Sequence, residues 1–184
     1  PKLRDNKMMR PVTGAVAAAG PTPTDVYLAG RREIDAGNLD TGIAQVAEAL
    51  RARPEMDGWW AGLAVAHLRA GDLASADESF AKAIRLAPDK VRYLMGHAGV
   101  LAQLDRHADA AAAYRRALEI DELSIPAWLG LGRVEAEAGN ISAAARAFET
   151  VLALDPSHVQ GRRALAALGS VSDASASGDA PPAS

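Results

Sequence analysis

Between residues 58 and 87 the apolar positions fall into two helical runs with a polar break between them. In GWWAGLAVAHLRA (58–70), Trp60, Leu63 and Leu68 recur at helical spacing. In ASADESFAKAIRLA (74–87), Phe80, Ile84 and Leu86 form the second stripe. Gly71 between the runs can take the left-handed conformation that ends a helix, and Pro88 stops the second one. The pattern predicts two helices joined by a tight turn. It recurs along the chain as GNLDTGIAQVAEALRARPE (37–55), GDLASADESFAKAIRLAPD (71–89), DRHADAAAAYRRALEIDEL (105–123) and GNISAAARAFETVLALDPS (139–157). Gly37, Gly71, Asp105 and Gly139 stand 34 residues apart, so the register runs without insertion through 23–56, 57–90, 91–124 and 125–158. A fixed period of this size is the signature of a solenoid, in which stacked units bury what one unit cannot.

Reading down the period separates close-approach positions from filling positions. Gly30, Ala64, Ala98 and Gly132 form one small column, Gly42, Ala76, Ala110 and Ala144 a second, and Ala49, Ala83, Ala117 and Val151 a third. A side chain larger than alanine in the first two columns is expected to push the helices of a pair apart. Val46, Phe80, Tyr114 and Phe148 form the bulky column that fills the space between neighbouring repeats. With Trp60, Leu94 and Trp128 near the starts of first helices and the closing Pro54, Pro88 and Pro156, these columns resemble the tetratricopeptide repeat family over about three quarters of the chain. The resemblance implies an all-α fold: a right-handed superhelical solenoid of antiparallel helix pairs whose inner, concave surface is lined by the first helix of each pair.

Departures from the pattern gather in the third repeat, where His97, Asp105, His107 and Glu122 replace a core leucine, the turn glycine, a core aliphatic and the proline. Asp tolerates left-handed geometry, so the turn is expected to survive, in the loosest of the four repeats. VQGRRALAALG (159–169) reads as a capping helix, with Leu165 and Leu168 packed back, Arg162 and Arg163 in water and Gly169 ending it. Residues 170–184 read as a disordered tail. Residues 1–22 read as a flexible basic arm bearing Lys2, Arg4, Lys7 and Arg10, and not as a signal peptide, because Pro11 interrupts the mild apolar run that follows.

Composition narrows the chemistry. The chain has 184 residues, 49% of them hydrophobic but only 4% aromatic, and alanine and leucine favour helix. A net charge of −3 without clustered Lys and Arg gives no footprint for nucleic acid. No stretch approaches the roughly 20 apolar residues that cross a bilayer. Without cysteine there is no disulfide, thiolate metal site or thiol catalysis. His67, His97, His107 and His158 lack metal-ligand spacing on one helix face, so no metal and no cofactor is expected. Glu33 and Glu135 are three repeats apart, too far for a paired-carboxylate site, and Glu135 is expected to pair with Arg162 or Arg163. No phosphate loop follows a strand. The chain reads as a non-enzyme.

The resemblance points instead to a partner in the concave groove. The groove positions are Tyr27, Arg31 and Ile34 in the first repeat, Ala61, Val65, Leu68 and Arg69 in the second, Arg92 and Met95 in the third, and Leu129 and Arg133 in the fourth. Some relatives clamp a C-terminal carboxylate with Lys and Asn, but Val65 and Gly99 stand in that region here. An apolar floor with spaced arginines suits a peptide or amphipathic helix of another protein with acidic flanks. The run VTGAVAAAG (12–20) is an internal competitor for the groove, and removal of residues 1–22 is then expected to increase partner binding. The alanine-rich, glycine-punctuated style resembles bacterial repeat proteins of pilus and secretion assembly. Cytoplasm and periplasm both fit, and a lipidated cysteine before Pro1 would make an envelope lipoprotein. The alternatives are a self-assembling homo-oligomer and a repeat module of a larger regulator or enzyme.

Overall fold

The computed structural model describes residues 20–176. They form α1 (Pro23–Asp35), α2 (Leu39–Ala52), α3 (Asp57–Ala70), α4 (Leu73–Leu86), α5 (Val91–Gln103), α6 (His107–Ile120), α7 (Ile125–Glu137), α8 (Ile141–Leu154) and α9 (Val159–Ala176), with no strand among the described residues. Each odd-numbered helix packs along the even-numbered one after it, and each even-numbered helix packs on the next pair. First helices also meet across repeats, α3 with α5, α5 with α7 and α7 with α9. The first helices therefore form the inner layer of an all-α solenoid.

Local chemistry sets the breaks. Gly37, Gly71 and Gly139 have φ of +92°, +80° and +80°, and Asp105 follows them at +58°. The aspartate keeps the turn, as its tolerance of left-handed backbone predicts. Thr22 and Asp25 close a capping box at the start of α1. Asp72 caps α4 by accepting from the Ser75 amide at 3.0 Å. The Ser75 hydrogen bonds, side chain first and then backbone, hold the Asp72 carboxyl below its ordinary range. A carboxyl with a depressed folded pKa stabilises above its unfolded pKa and loses that contribution as pH falls through the folded value. Thermal midpoints measured from neutral pH down through roughly pH 4 to 3 are expected to fall less steeply for Asp72→Asn than for the native chain.

The small columns are where paired helices touch. Ala64, Ala76, Ala98, Ala110 and Ala144 have no exposed surface. A Cβ on Gly30 would stand 2.8 Å from the Gly42 carbonyl oxygen, and one on Gly42 2.7 Å from that of Gly30. The bulky column works between repeats: the Phe80 ring fills the space above Gly96, where an added Cβ would come within 2.6 Å, and the Tyr114 ring does the same at Gly130. The three core clusters spanning repeats 1 to 4 each join the second helix of one repeat to the first helix of the next. Trp60 and Trp128 add a polar clasp, their indole N–H groups donating at 2.8 Å to the Pro54 and Glu122 carbonyls. Arg116 and Arg162 donate to the corresponding Pro88 and Pro156 carbonyls.

Three sequence expectations change. Leu86 is 46% exposed, because a residue two positions after Ile84 lies on the far side of the helix. Gly169 does not end α9, which continues to Ala176; glycine costs a helix about 1 kcal/mol but leaves its hydrogen bonds intact. Residues 170–176 of the expected tail are thus helical, and 177–184 and 1–19 lie outside the described residues. Glu135 does not reach Arg162 or Arg163. It binds Arg115 of α6 and accepts from Asn140 Nδ2 at 2.8 Å, since its position points back to the preceding repeat and its own turn. Glu33 repeats half of the arrangement, accepting from Asn38 at 2.7 Å.

Candidate functional site

The inner layer leaves a cavity of about 770 Å³ across repeats 1 to 3. α1 contributes Tyr27, Arg31, Ile34 and Asp35, and α3 contributes Asp57, Gly58, Trp59, Ala61, Gly62, Val65 and Arg69. Lys90 and, from α5, Arg92, Tyr93 and Gly96 complete the wall, with Val46, Met56 and Phe80 beneath. Glycine at 58 and 62, where an added Cβ would meet nothing closer than 3.6 Å, keeps the wall low, so the groove is open at its centre.

One wall is aromatic and preset. The Tyr27 and Trp59 rings stack with centroids 4.4 Å apart and planes 9° from parallel. The Tyr93 hydroxyl donates to Asp57 Oδ2 at 2.8 Å and accepts from Arg92 at 3.2 Å. Burial pushes the Tyr93 hydroxyl above its usual pKa, so it remains a neutral donor. Asp57 is committed to this internal bond. Arg31, Arg69 and Lys90 have no salt bridge to any described acidic side chain. The lining sets four cationic side chains against the two carboxylates of Asp35 and Asp57, on a chain of net charge −3. Positive charge is concentrated where the groove is.

Of the sequence-derived groove residues, Tyr27, Arg31, Ile34, Ala61, Val65, Arg69 and Arg92 line this cavity. Ile34 and Ala61 do so from nearly buried positions, while Val65 is 47% exposed. Leu68, Met95 and Leu129 lie outside the cavity lining, half-buried against the clusters between helices. Arg133 is exposed on α7, outside the cavity. Periodicity missed Trp59, whose neighbour Trp60 took its place in the pattern, and it missed Lys90, Asp57 and Tyr93. Gly62 was visible in the sequence and marks the open floor; at Gly96 and Gly130 of the same column the Phe80 and Tyr114 rings take the space.

The histidines are engaged separately. His97 Nε2 lies 2.5 Å from Asp77, which also binds Arg106 at 2.7 Å, so this polar set ties the third repeat to the second. His67 lies 3.5 Å from Asp72, and His158 accepts from the Gly161 amide at 3.2 Å. His107 lies between Asp105 and Glu137 at 4.0 and 3.8 Å. Among the described residues no three His, Asp or Glu side chains converge as a metal set, and no helix is long and apolar enough to cross a membrane.

The fold and groove define a helical-repeat solenoid with an open inner face. The chain belongs to the tetratricopeptide repeat family: one profile of that description matches residues 27–89 and 68–125, and a second matches 101–168. No curated protein matches by sequence. Among solved structures, the chain is similar to MamA, with a TM-score of 0.78 at 20% identity, over 84% of this chain and 85% of that one. YrrB, described as a TPR protein with an unusual peptide-binding site, superposes with a TM-score of 0.71 at 18% identity, over 83% and 79%. The first TPR of Spaghetti (RPAP3), bound to the HSP90 peptide SRMEEVD, gives 0.61 at 15%, over 64% and 93%. At these identities the likeness carries the fold alone.

Proposed function

We propose that the protein is a non-enzymatic scaffold or adaptor whose groove across repeats 1 to 3 holds a segment of another protein, apolar at its centre and acidic at its flanks. The observation that carries this reading is the set of Arg31, Arg69 and Lys90, cationic and without carboxylate partners, around an aromatic and glycine-floored wall. Guanidinium groups without internal partners are free to take carboxylates bidentately. The apolar centre of the ligand would lie over Val65 and the Tyr27–Trp59 stack, where desolvation contributes most to affinity. A peptide-bound neighbour of the fold and one described as having a peptide-binding site support a polypeptide ligand. The alanine-rich, glycine-punctuated sequence style supports a bacterial envelope setting, of the pilus or secretion-assembly kind.

The test is fluorescence polarisation with a panel of labelled peptides that vary apolar centre and acidic flanks independently. Peptides with both features are expected to bind, and added salt is expected to weaken them. Arg31→Glu with Arg69→Glu should lower affinity more than tenfold while helix content stays unchanged. Equal binding of peptides with basic flanks, or no effect of the double variant, would overturn the reading.

A further inference from the structure

We infer that the outer face of α1 is the built end of the array, closed to another repeat whether it comes from the same chain or from a second copy. Three columns of the period carry the inference, because each interior first helix uses them to meet the repeat before it. The first column holds Trp59, Tyr93 and Ala127, buried at 6%, 2% and 0% exposure; in α1 it holds exposed Asp25. The second holds Ala66, Val100 and Val134 at 0%, 0% and 2%, in the clusters formed with the preceding α2, α4 and α6; in α1 it holds exposed Arg32. The third holds Gly62, Gly96 and Gly130, and at the last two the preceding Phe80 and Tyr114 rings occupy the space a Cβ would need. In α1 this position is Leu28, 42% exposed.

The three departures act together against docking. Leu28 fills the site that must stay empty for the ring of an incoming repeat. Asp25 and Arg32 would pass from water into an apolar interface, where an unpaired charge is strongly disfavoured. Asp25 is also engaged in the Thr22 capping box, bonding the Thr22 amide at 2.9 Å and its hydroxyl at 2.6 Å. α9, at the other end, keeps the interior pattern: Gly161 and Leu168 are buried at the first two columns and Ala164 stands at the third. Those columns of α9 meet α8, so α1 is the first helix that departs from the docking pattern at all three. A polar outer face on a terminal unit is what keeps a repeat array from stacking.

The test extends the full chain by one repeat, a copy of residues 56–89 inserted between Pro21 and Thr22, which keeps the 34-residue register and leaves Thr22 as the cap of α1. It is made on the native face and on a face carrying Asp25→Tyr, Leu28→Gly and Arg32→Val, the residues of the third repeat. On the native face the inserted helices are expected to exchange their amides freely and the thermal midpoint to stay within a degree or two. On the altered face the insert should be protected and the midpoint should rise by about 5 °C or more, as a new repeat interface provides. Equal protection on the native face would overturn the inference. Protection on neither face, with the altered chain folded, would show that these three residues are not what closes it. If the altered chain does not fold, Leu28→Ala with Arg32→Ala carries the same comparison.

Discussion

Gly42→Leu is expected to lower the thermal midpoint by roughly 10 °C and to release α1 and α2 from amide-exchange protection first. The helices of this pair cross backbone to backbone. A Cβ on Gly42 would lie 2.7 Å from the Gly30 oxygen, 2.8 Å from the Ile34 amide nitrogen and 2.6 Å from Ile34 Cγ1. Two of those three neighbours are main chain and cannot rotate away. Overpacking of that kind costs about 3 kcal/mol or more, well above the roughly 1 kcal/mol that helix propensity returns on replacing glycine. Tyr27, Arg31 and Ile34 belong to α1, so peptide binding should fall with the first repeat. Gly42→Ala, whose Cβ meets the same two main-chain atoms, is the milder control and is expected to destabilise less than leucine. A Gly42→Leu chain with a native midpoint would mean that α1 and α2 are further apart than described.

The next largest effect separates two substitutions at one ion pair. Arg115→Ala is expected to lower the urea midpoint by the equivalent of about 1–2 kcal/mol, whereas Glu135→Leu should be neutral or stabilising. Glu135 is 3% exposed and keeps only Asn140 when Arg115 is removed, leaving a buried carboxylate undercompensated. Arg115 has a side chain 55% exposed, so the attraction it loses is screened and the penalty stays moderate. Removing Glu135 leaves Arg115 in water. The third repeat already shows the apolar solution, since Leu101 occupies the equivalent position and packs in the core. A lowered urea midpoint for Arg115→Ala beside an unchanged or raised one for Glu135→Leu, at unchanged slope, is the expected result.

Most of the fold could be read from the sequence because a repeated error is improbable: a single helix pair is ambiguous, but small columns kept at one spacing through four copies allow one stacking. Side-chain partners could not be read in the same way. Glu135 was matched to basic residues downstream, while its position in the period already pointed back towards the second helix of the preceding repeat. Adjacent Trp59 and Trp60 show the limit of a stripe. The wheel accepts either, and only packing reveals that Trp59 stacks on Tyr27 while Trp60 bonds the Pro54 carbonyl.

The lining of the cavity was half legible for a related reason. Period arithmetic treats the four repeats as equal, so it extended the site to Met95, Leu129 and Arg133. In the structure the cavity spans only the first three repeats, with glycines at 58 and 62 leaving its floor open. Met95 and Leu129 are half-buried against neighbouring helices and lie outside that cavity. Lys90 and Asp57 sit at helix starts, where apolar periodicity gives no signal.

The most direct measurement places a photo-crosslinking amino acid at Val65, inside the groove, and at Leu123, 65% exposed and outside the cavity lining, in the producing cell. The predicted result is a discrete adduct with another protein at Val65 only. Its crosslinked peptide should map to an apolar segment with acidic neighbours, and the adduct should be lost with Arg31→Glu and Arg69→Glu. Adducts at Leu123 and none at Val65, from a folded chain, would contradict recognition through the groove.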